Sequence, residues 1–477
     1  MNTISAPAAS AFLSLLLIGA SLPAQGSDST SPTTGVSKVR IVRLSEVKGT
    51  VQVDLNSGHG FEDAMPNLPI VEQTRLRTGT GVAEVEFEDN STLRLAPNSL
   101  VEFPKLELLP SGAKVSSVQV LRGMTYVSLV NTRGNEFTLL FGQQKLQLPP
   151  ASHVRLQLEP TEARLAVLDG NVQISGPSGT IDVPKKKTVT FALADQSQPA
   201  VAKNVTSEAF DSWDHEAADY HKGFANLSAF NTSTYSYGVG DMMYYGSFTN
   251  SAGCGSMWHP YFASATWEPY SNGAWAYYPG AGYSWVSPYP WGWTAYHSGN
   301  WAYCPDAGWG WQPGNTWNGL NNAPSALTTN HPGQLPNPPT RAPFRGEASL
   351  VVVSLKPLTS SERDSSDSFV FRKDSAGLGI PRGSLGKLDK FSQRAVEHGT
   401  TSTHVYSAAP ASTMGNERTP GTAVVATSVH RGYAPPSTGG SSTNSQAMGG
   451  GAQSSSMSAS SSTGHMGTSS GSGGHPR

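Results

Sequence analysis

Cysteine is almost absent from this chain of 477 residues: Cys254 and Cys304 are the only two. A scaffold built on several disulfides is therefore excluded, and no His stands at a ligand spacing from either Cys to make a zinc site. Charge is sparse too, at 14% Asp, Glu, Lys and Arg, with 32 basic against 34 acidic residues and a formal net charge of -2. That balance offers no clustered basic face, so nucleic acid is not an expected partner. Beyond the N-terminus no stretch approaches the ~20 continuous apolar residues that span a bilayer, and no transmembrane helix is expected there. No G-x-S-x-G, H-E-x-x-H, Walker or dinucleotide motif stands in the right context. No catalytic, cofactor-binding or metal residue is therefore assigned, and the chain is read as a non-enzyme.

Positive charge is also missing from the start of the chain, where no Lys or Arg precedes Lys38. The first 24 residues otherwise read as a signal peptide, with an apolar run from Ala11 to Ala20 and a cleavage point behind Ala24. Export to the periplasm or the outside is the expectation. In an oxidising compartment Cys254 and Cys304 are expected to form a disulfide, closing a loop of about 50 residues. The rival reading is two unpaired buried thiols.

What the chain has in quantity is glycine (50), proline (34) and an unusual cluster of tryptophan. Ten of the 11 Trp lie between residues 258 and 317, and they repeat. Trp267, Tyr270, Gly273, Trp275, Tyr277, Gly282 and Trp285 recur, 26 residues later, as Trp293, Tyr296, Gly299, Trp301, Tyr303, Gly308 and Trp311. Trp258-His259-Pro260 echoes Trp311-Gln312-Pro313 and marks a decayed first copy. The spacing of Trp275 and Tyr277, Trp291 and Trp293, and Trp309 and Trp311 places each pair on one strand face. Residues 235–317 are therefore read as three short β-turn-β units tied by the disulfide, since a repeat of this length cannot bury its apolar face alone. Core-building is the favoured role of the rings. If one face stays exposed, Trp267, Tyr270, Trp275, Trp293, Tyr296 and Trp301 are the candidates to stack on a sugar or peptide ligand.

Residues 38–194 alternate apolar and polar with period two. Val47, Val51 and Val53, then Ala83, Val85 and Phe87, then Val154, Leu156 and Leu158 mark the buried face of an all-β domain, a sandwich or a roll of stacked strands. The intervening Glu84, Glu86 and Glu88 are assigned to a solvated face, and Lys185 to Lys187 to a charged turn. Residues 205–226 read as an amphipathic helix through Phe210, Trp213, Ala217, Tyr220 and Phe224, with Asp211, Asp214, Glu216 and Asp219 on its wet side. Residues 318–347 form a Pro-rich linker. Residues 348–399 hold two isolated strands (Ser349 to Ser354 and Phe369 to Arg372) and a short helix carrying Leu385, Leu388, Phe391 and Ala395. The Ser/Gly-rich tail, 400–477, contains no Lys and is expected to be disordered.

Within the β domain, Thr78-Gly79, Glu84, Asp89, Arg94-Leu95 and Pro97-Asn98-Ser99 resemble the central motif of FecR domains. Val120-Leu121-Arg122-Gly123 and Val167-Leu168-Asp169-Gly170-Asn171-Val172 are similar to the two strand-turn motifs that follow it. Asn90 stands where the family usually has a turn glycine, and Pro149-Pro150 where many members carry G-T-x-F. The aromatic stretch, with Trp267-Glu268-Pro269-Tyr270 and Tyr283-Ser284-Trp285-Val286-Ser287, resembles an uncharacterised Trp/Tyr/Gly-rich region found after FecR domains in secreted bacterial proteins. The resemblance implies a bacterial envelope protein whose FecR-like domain contacts a protein partner in periplasmic signalling. FecR proteins pass that signal inward through a membrane helix, so only the partner-binding half of the role carries over. The leading expectation is a binding or scaffold module acting on an envelope protein or a cell-wall glycan. A polysaccharide-binding or carbohydrate-active protein and a structural surface component are the alternatives. For the carbohydrate-active reading the repeat offers Glu268 and Asp306 and little else. His259 and His297 are read as packing or surface residues.

Overall fold

In the computed structural model the described residues are 39–176, 179–194, 197–224, 236–320, 326–327, 336–354 and 368–404. The signal segment 1–24, residues 321–325 and 328–335 of the linker, and the tail from 405 onward lie outside them.

The N-terminal half is a fifteen-stranded antiparallel-rich sheet that folds back on itself. Its organising element is Lys114–Ser128, the longest strand at 15 residues. The second part of this strand lies between Thr92–Leu95 and His153–Leu158, while its first part lies between Leu100–Leu108 and, in parallel, Glu136–Phe141. One strand thus belongs to both layers, and the corner falls at Gly123. This glycine has φ 89°, and a Cβ there would stand 2.6 Å from Ser99 Cα and 2.8 Å from the Asn98 carbonyl oxygen. Only glycine allows the strand to cross that turn. Between the layers Leu44, Val85, Leu93, Leu156, Phe103 and Leu139 are fully buried in one core.

The FecR-like motif residues are chiefly architectural. Thr78 Oγ1 donates to the Ala96 carbonyl (2.7 Å) and accepts from Ser99 N (2.9 Å), and Asn98 N donates to the Gly79 carbonyl (2.8 Å). Asp89 closes the following turn by accepting from Ser91 N, with Asn90 at φ 66°, a conformation asparagine tolerates.

The aromatic half consists of three hairpins: Gly246–Ser251 with Gly255–Pro260, Gly273–Tyr278 with Gly282–Val286, and Ser298–Cys304 with Gly308–Trp317. One contact recurs in all three. The indole of the second strand packs against a glycine of the first: Trp258 on Gly246, Trp285 on Gly273 and Trp311 on Gly299, where a Cβ would approach the indole to 2.3, 2.1 and 2.8 Å. The interval from glycine to tryptophan is the same each time, which identifies the degenerate first copy. The first and third hairpins join one sheet through Trp258 opposite Trp311. Cys254 and Cys304 are disulfide-bonded, with Cα atoms 6.1 Å apart, and tie those same two hairpins.

Among the described residues four helices accompany the strands: α1 (Asp211–Phe224), α2 (Val239–Tyr245), α3 (Gly292–His297) and α4 (Leu388–His398). The expected strand pairing of Trp291 with Trp293 is corrected by α3, for Trp291 is its N-cap and Trp293 lies in its first turn. A helix this short does not stand alone in water. All six of its residues are buried, so tertiary packing carries it.

The strands after residue 348 are not isolated. Leu350–Ser354 extends the second hairpin by pairing with Gly273–Tyr278, and Ser368–Arg372 pairs with Thr400–His404. The latter pairing also moves the end of ordered secondary structure past residue 400, into what the composition assigned to the tail. Phe371, Ile380, Leu388 and Ala395 enter the aromatic core, and Trp291 Nε1 donates to the Ala376 carbonyl at 2.6 Å. Of these, Ile380, Leu388 and Ala395 supply aliphatic volume beside the tryptophan-rich hairpins.

Candidate functional site

The six aromatic candidates are all interior. Trp267, Tyr270, Trp275, Trp293, Tyr296 and Trp301 have relative exposures of 4, 5, 5, 0, 2 and 0%. Tyr289 stacks on Trp291 with ring centroids 5.0 Å apart and planes 7° from parallel, while Trp267 meets Trp301 edge-on at 5.6 Å. Trp267 Nε1 donates to Tyr289 Oη at 3.2 Å, and Tyr296 Oη donates to the Pro269 carbonyl. A ring buried on both sides cannot present a face to a sugar. Among half-exposed rings, Tyr277 and Tyr283 pair across the second hairpin at 5.3 Å. Glu268 and Asp306 are both exposed at the surface. His297 packs between Trp293 and Trp317 and hydrogen-bonds the Asn318 carbonyl through Nδ1 at 2.7 Å. Burial lowers its pKa to about 4.

The most concentrated chemistry lies where the two halves meet. Glu84, Glu86 and Glu88 are 0, 3 and 4% exposed, so the solvated face expected of them is a buried one. Strand alternation put these side chains on the correct face, but α1, α2 and the segment before α4 cover it. Glu84 accepts from Arg94 Nε on the neighbouring strand (2.7 Å), from Ser45 Oγ (2.7 Å) and from Arg382 Nη1 (2.7 Å), and its Oε1 lies 2.9 Å from His221 Nε2 on α1. Arg94 Nη1 continues to Asp214 on α1 at 2.8 Å, and Asp214 lies 2.7 Å from His153 Nε2. Arg43 joins Glu86 (3.0 Å) to Asp241 on α2 (2.6 Å), and Asp241 also receives Arg382 Nε (3.0 Å) and Tyr220 Oη (2.8 Å). Arg40 and Glu88 form a separate bidentate pair at 2.7 and 2.8 Å.

The wet side assigned to α1 needs the same correction. Asp214 is 1% exposed, and Asp211 accepts from Tyr126 Oη (2.9 Å) and Arg155 Nη1 (2.6 Å), while Glu216 and Asp219 do face solvent. Burial would raise the Glu84 carboxyl, yet His221, Arg382 and Arg94 outweigh it and hold the group well below the usual carboxylate range. Burial likewise opposes ionisation of Asp241, and Arg382 and Arg43 overcome it. Burial would lower Arg382, but Asp241 and Glu84 hold it well above its ordinary value. Every charged oxygen and nitrogen named here thus has an opposite partner. The arrangement joins stretches of chain from residue 40 to residue 382.

Arg43, His221, Asp241 and Arg382 were not singled out from sequence, and Arg94 was named only as part of the FecR-like motif. A faint signal existed, because Arg94 pairs across from Glu84 on adjacent strands. Nothing local connects Arg382 to residues almost 300 positions earlier. Neutral contacts complete the junction: Asn67 donates to the Ser287 and Tyr289 carbonyls at 2.8 and 2.6 Å, and Tyr278 Oη to the Pro69 carbonyl at 2.7 Å. A pocket between Arg40, Asp89, Lys114 and Asn135 has a volume of 30 Å³, room for about one water.

Comparison with known proteins agrees with this division. The FecR protein family matches residues 74–173, so the chain carries a FecR domain. A family of unknown function, DUF6600, matches residues 239–331, which covers the three hairpins. No curated protein matches the chain. Two crystal structures of a candidate anti-sigma factor from Parabacteroides distasonis ATCC 8503, at 1.65 and 2.50 Å, are similar over 29% of this chain at 10 and 11% identity. The match spans 63 and 62% of those chains, less than two thirds, with a TM-score of 0.24 in both cases. A score that low carries no conclusion about this protein. No helix among the described residues is long and apolar enough to cross a membrane.

Proposed function

We propose that this chain is a non-catalytic, exported FecR-domain protein that acts as a binding and scaffold module on a protein partner in the bacterial envelope. The observation that supports this reading most is the division of labour between its halves. The DUF6600 hairpins turn their tryptophans inward and build a core. The charges at the junction are consumed in joining that core to the FecR domain. Recognition is assigned to the outer surface of the fifteen-stranded sheet that carries the FecR domain, with the exposed Leu108, Leu121 and Val201 and the edge strand Ala200–Ala202. Regulatory contact with a protein is the role that FecR-family membership of residues 74–173 favours.

The test is photo-crosslinking of the full-length protein in cells, with the reactive group at Leu121 or Val201 and, for comparison, at Tyr283. A discrete protein adduct from the FecR positions supports the proposal. Co-sedimentation of the intact protein with sacculi or insoluble polysaccharide, abolished by Tyr283→Ala in a folded variant, would replace it with glycan recognition.

A further inference from the structure

The Ala200–Ala202 strand ends the fifteen-stranded sheet. It pairs with Lys187–Ala192 on one side and, among the described residues, with no strand on the other. Its register is unbroken: Thr188 lies opposite Ala202, Val189 opposite Val201 and Thr190 opposite Ala200. Cross-strand partners share a face of the sheet. Val201 therefore stands on the face of Val189, which is fully buried, yet Val201 itself is 45% exposed. The core runs out at this valine, one strand short of being covered.

Lysines gather beside it. Lys203 follows the strand directly, and Lys187 Nζ donates to its carbonyl oxygen at 3.4 Å. Lys185 and Lys186 form the adjoining turn, where Lys185 N donates to the Gly170 carbonyl (3.0 Å) and Lys186 N to the Val167 carbonyl (2.7 Å). Lys185 meets Asp169 at 3.7 Å, whereas Lys186, Lys187 and Lys203 enter no ion pair among the described residues. Lysine beside an edge bars pairing with a basic strand, including a second copy of this chain, which would bring its own Lys187 and Lys203. The bar acts through charge, so a strand of opposite sign passes it. Resting on the protein-partner reading above, we propose that Ala200–Ala202 receives an extended acidic segment of that partner by strand addition. Alternate residues of a strand share a face, and Lys203 lies two residues beyond Val201. The segment therefore carries an apolar residue against Val201 and a carboxylate two positions from it, against Lys203 and Lys187.

The experiment is fluorescence anisotropy of the full-length protein with labelled, end-blocked Ser-Glu-Thr-Val-Thr-Glu-Ser and its counterparts with Gln or Lys in place of both Glu. Amide hydrogen exchange over residues 200–202 accompanies it. Two or three partly exposed ion pairs amount to about tenfold in affinity. The Glu peptide is therefore expected to bind about tenfold more tightly than the Gln peptide and to slow exchange at Ala200–Ala202. In a Lys187→Glu, Lys203→Glu variant the order should invert in favour of the Lys peptide. A Lys145→Glu, Lys390→Glu variant, with the same charge change elsewhere, should keep the wild-type order. No binding, equal affinity for the Glu and Gln peptides, or Glu-peptide binding that leaves exchange at Ala200–Ala202 unchanged would overturn the inference. Such a result beside a protein adduct at Val201 leaves the partner-binding reading standing. No adduct at Leu121 or Val201 removes that reading and this inference with it.

Discussion

Arg382 is the residue whose removal tests the junction most directly. Its side chain is 9% exposed, reaches Glu84 through Nη1 and Asp241 through Nε, and donates through Nη2 to the Ser45 carbonyl at 3.1 Å. Those two carboxylates sit on opposite halves of the molecule. Arg382→Ala leaves both without one of their cations in a dry environment. Breaking a buried ion pair by deleting one partner costs about 3–5 kcal/mol. Arg94 and His221 remain beside Glu84 and Arg43 beside Asp241, so the lower end, about 3 kcal/mol, is expected. Arg382→Lys keeps the charge but cannot span three acceptors, and should recover about half of the loss. Urea unfolding followed by tryptophan fluorescence measures both variants, with Lys390→Ala on the exposed face of α4 as control. The pH dependence supplies a second reading. Glu84 and Asp241 have depressed folded pKa values, so their stabilisation is complete above the unfolded carboxylate range and is lost as pH falls through the folded values. Without Arg382 that depression shrinks, and the acid-side loss should become shallower. A variant within 1 kcal/mol of wild type, with the same pH slope, would show that the network does not hold the two halves together.

Further expectations concern the aromatic half. His297 is neutral when buried, with a pKa of about 4 against 6.5 unfolded, so its contribution is complete above pH 6.5 and is lost as pH falls towards 4. The shift corresponds to about 3 kcal/mol; His297→Phe should remove that part of the acid sensitivity, and an unchanged stability-pH curve between 7 and 4 would refute it. Gly273→Ala forces a methyl into the Trp285 indole and is expected to cost about 1–3 kcal/mol, readable as a lowered melting temperature; an unaltered midpoint would mean the ring moves freely aside. Reducing Cys254–Cys304, or replacing both residues with serine, removes a link across a separation of 50 residues and should lower stability by up to roughly 4 kcal/mol on the chain-entropy model. Matched urea curves for the oxidised and serine proteins would count against that assignment.

Much of the architecture was legible because it rests on local chemistry. Period-two alternation locates the FecR-domain strands, and the positive-φ positions Asn90, Gly123 and Gly170 mark their turns. The repeat is equally legible, since a fixed interval between a glycine and a tryptophan is a packing rule written along one hairpin. Only two cysteines leave only one disulfide. The candidate site was legible only in part. Alternation shows that Glu84, Glu86 and Glu88 share a face but not what lies over it, and that face was filled by Asp214, Asp241 and Arg382 from far along the chain. Aromatic composition does not distinguish a ring that stacks on a ligand from one that stacks on another ring; the packing of the hairpins, the C-terminal segment and α3 decided it. The sequence by itself therefore determined the strands, the turns, the repeat and the disulfide, whose causes lie within a few residues or admit a single pairing. Tertiary structure decided which charges and rings are buried, because burial depends on segments hundreds of residues apart and on no local pattern in either.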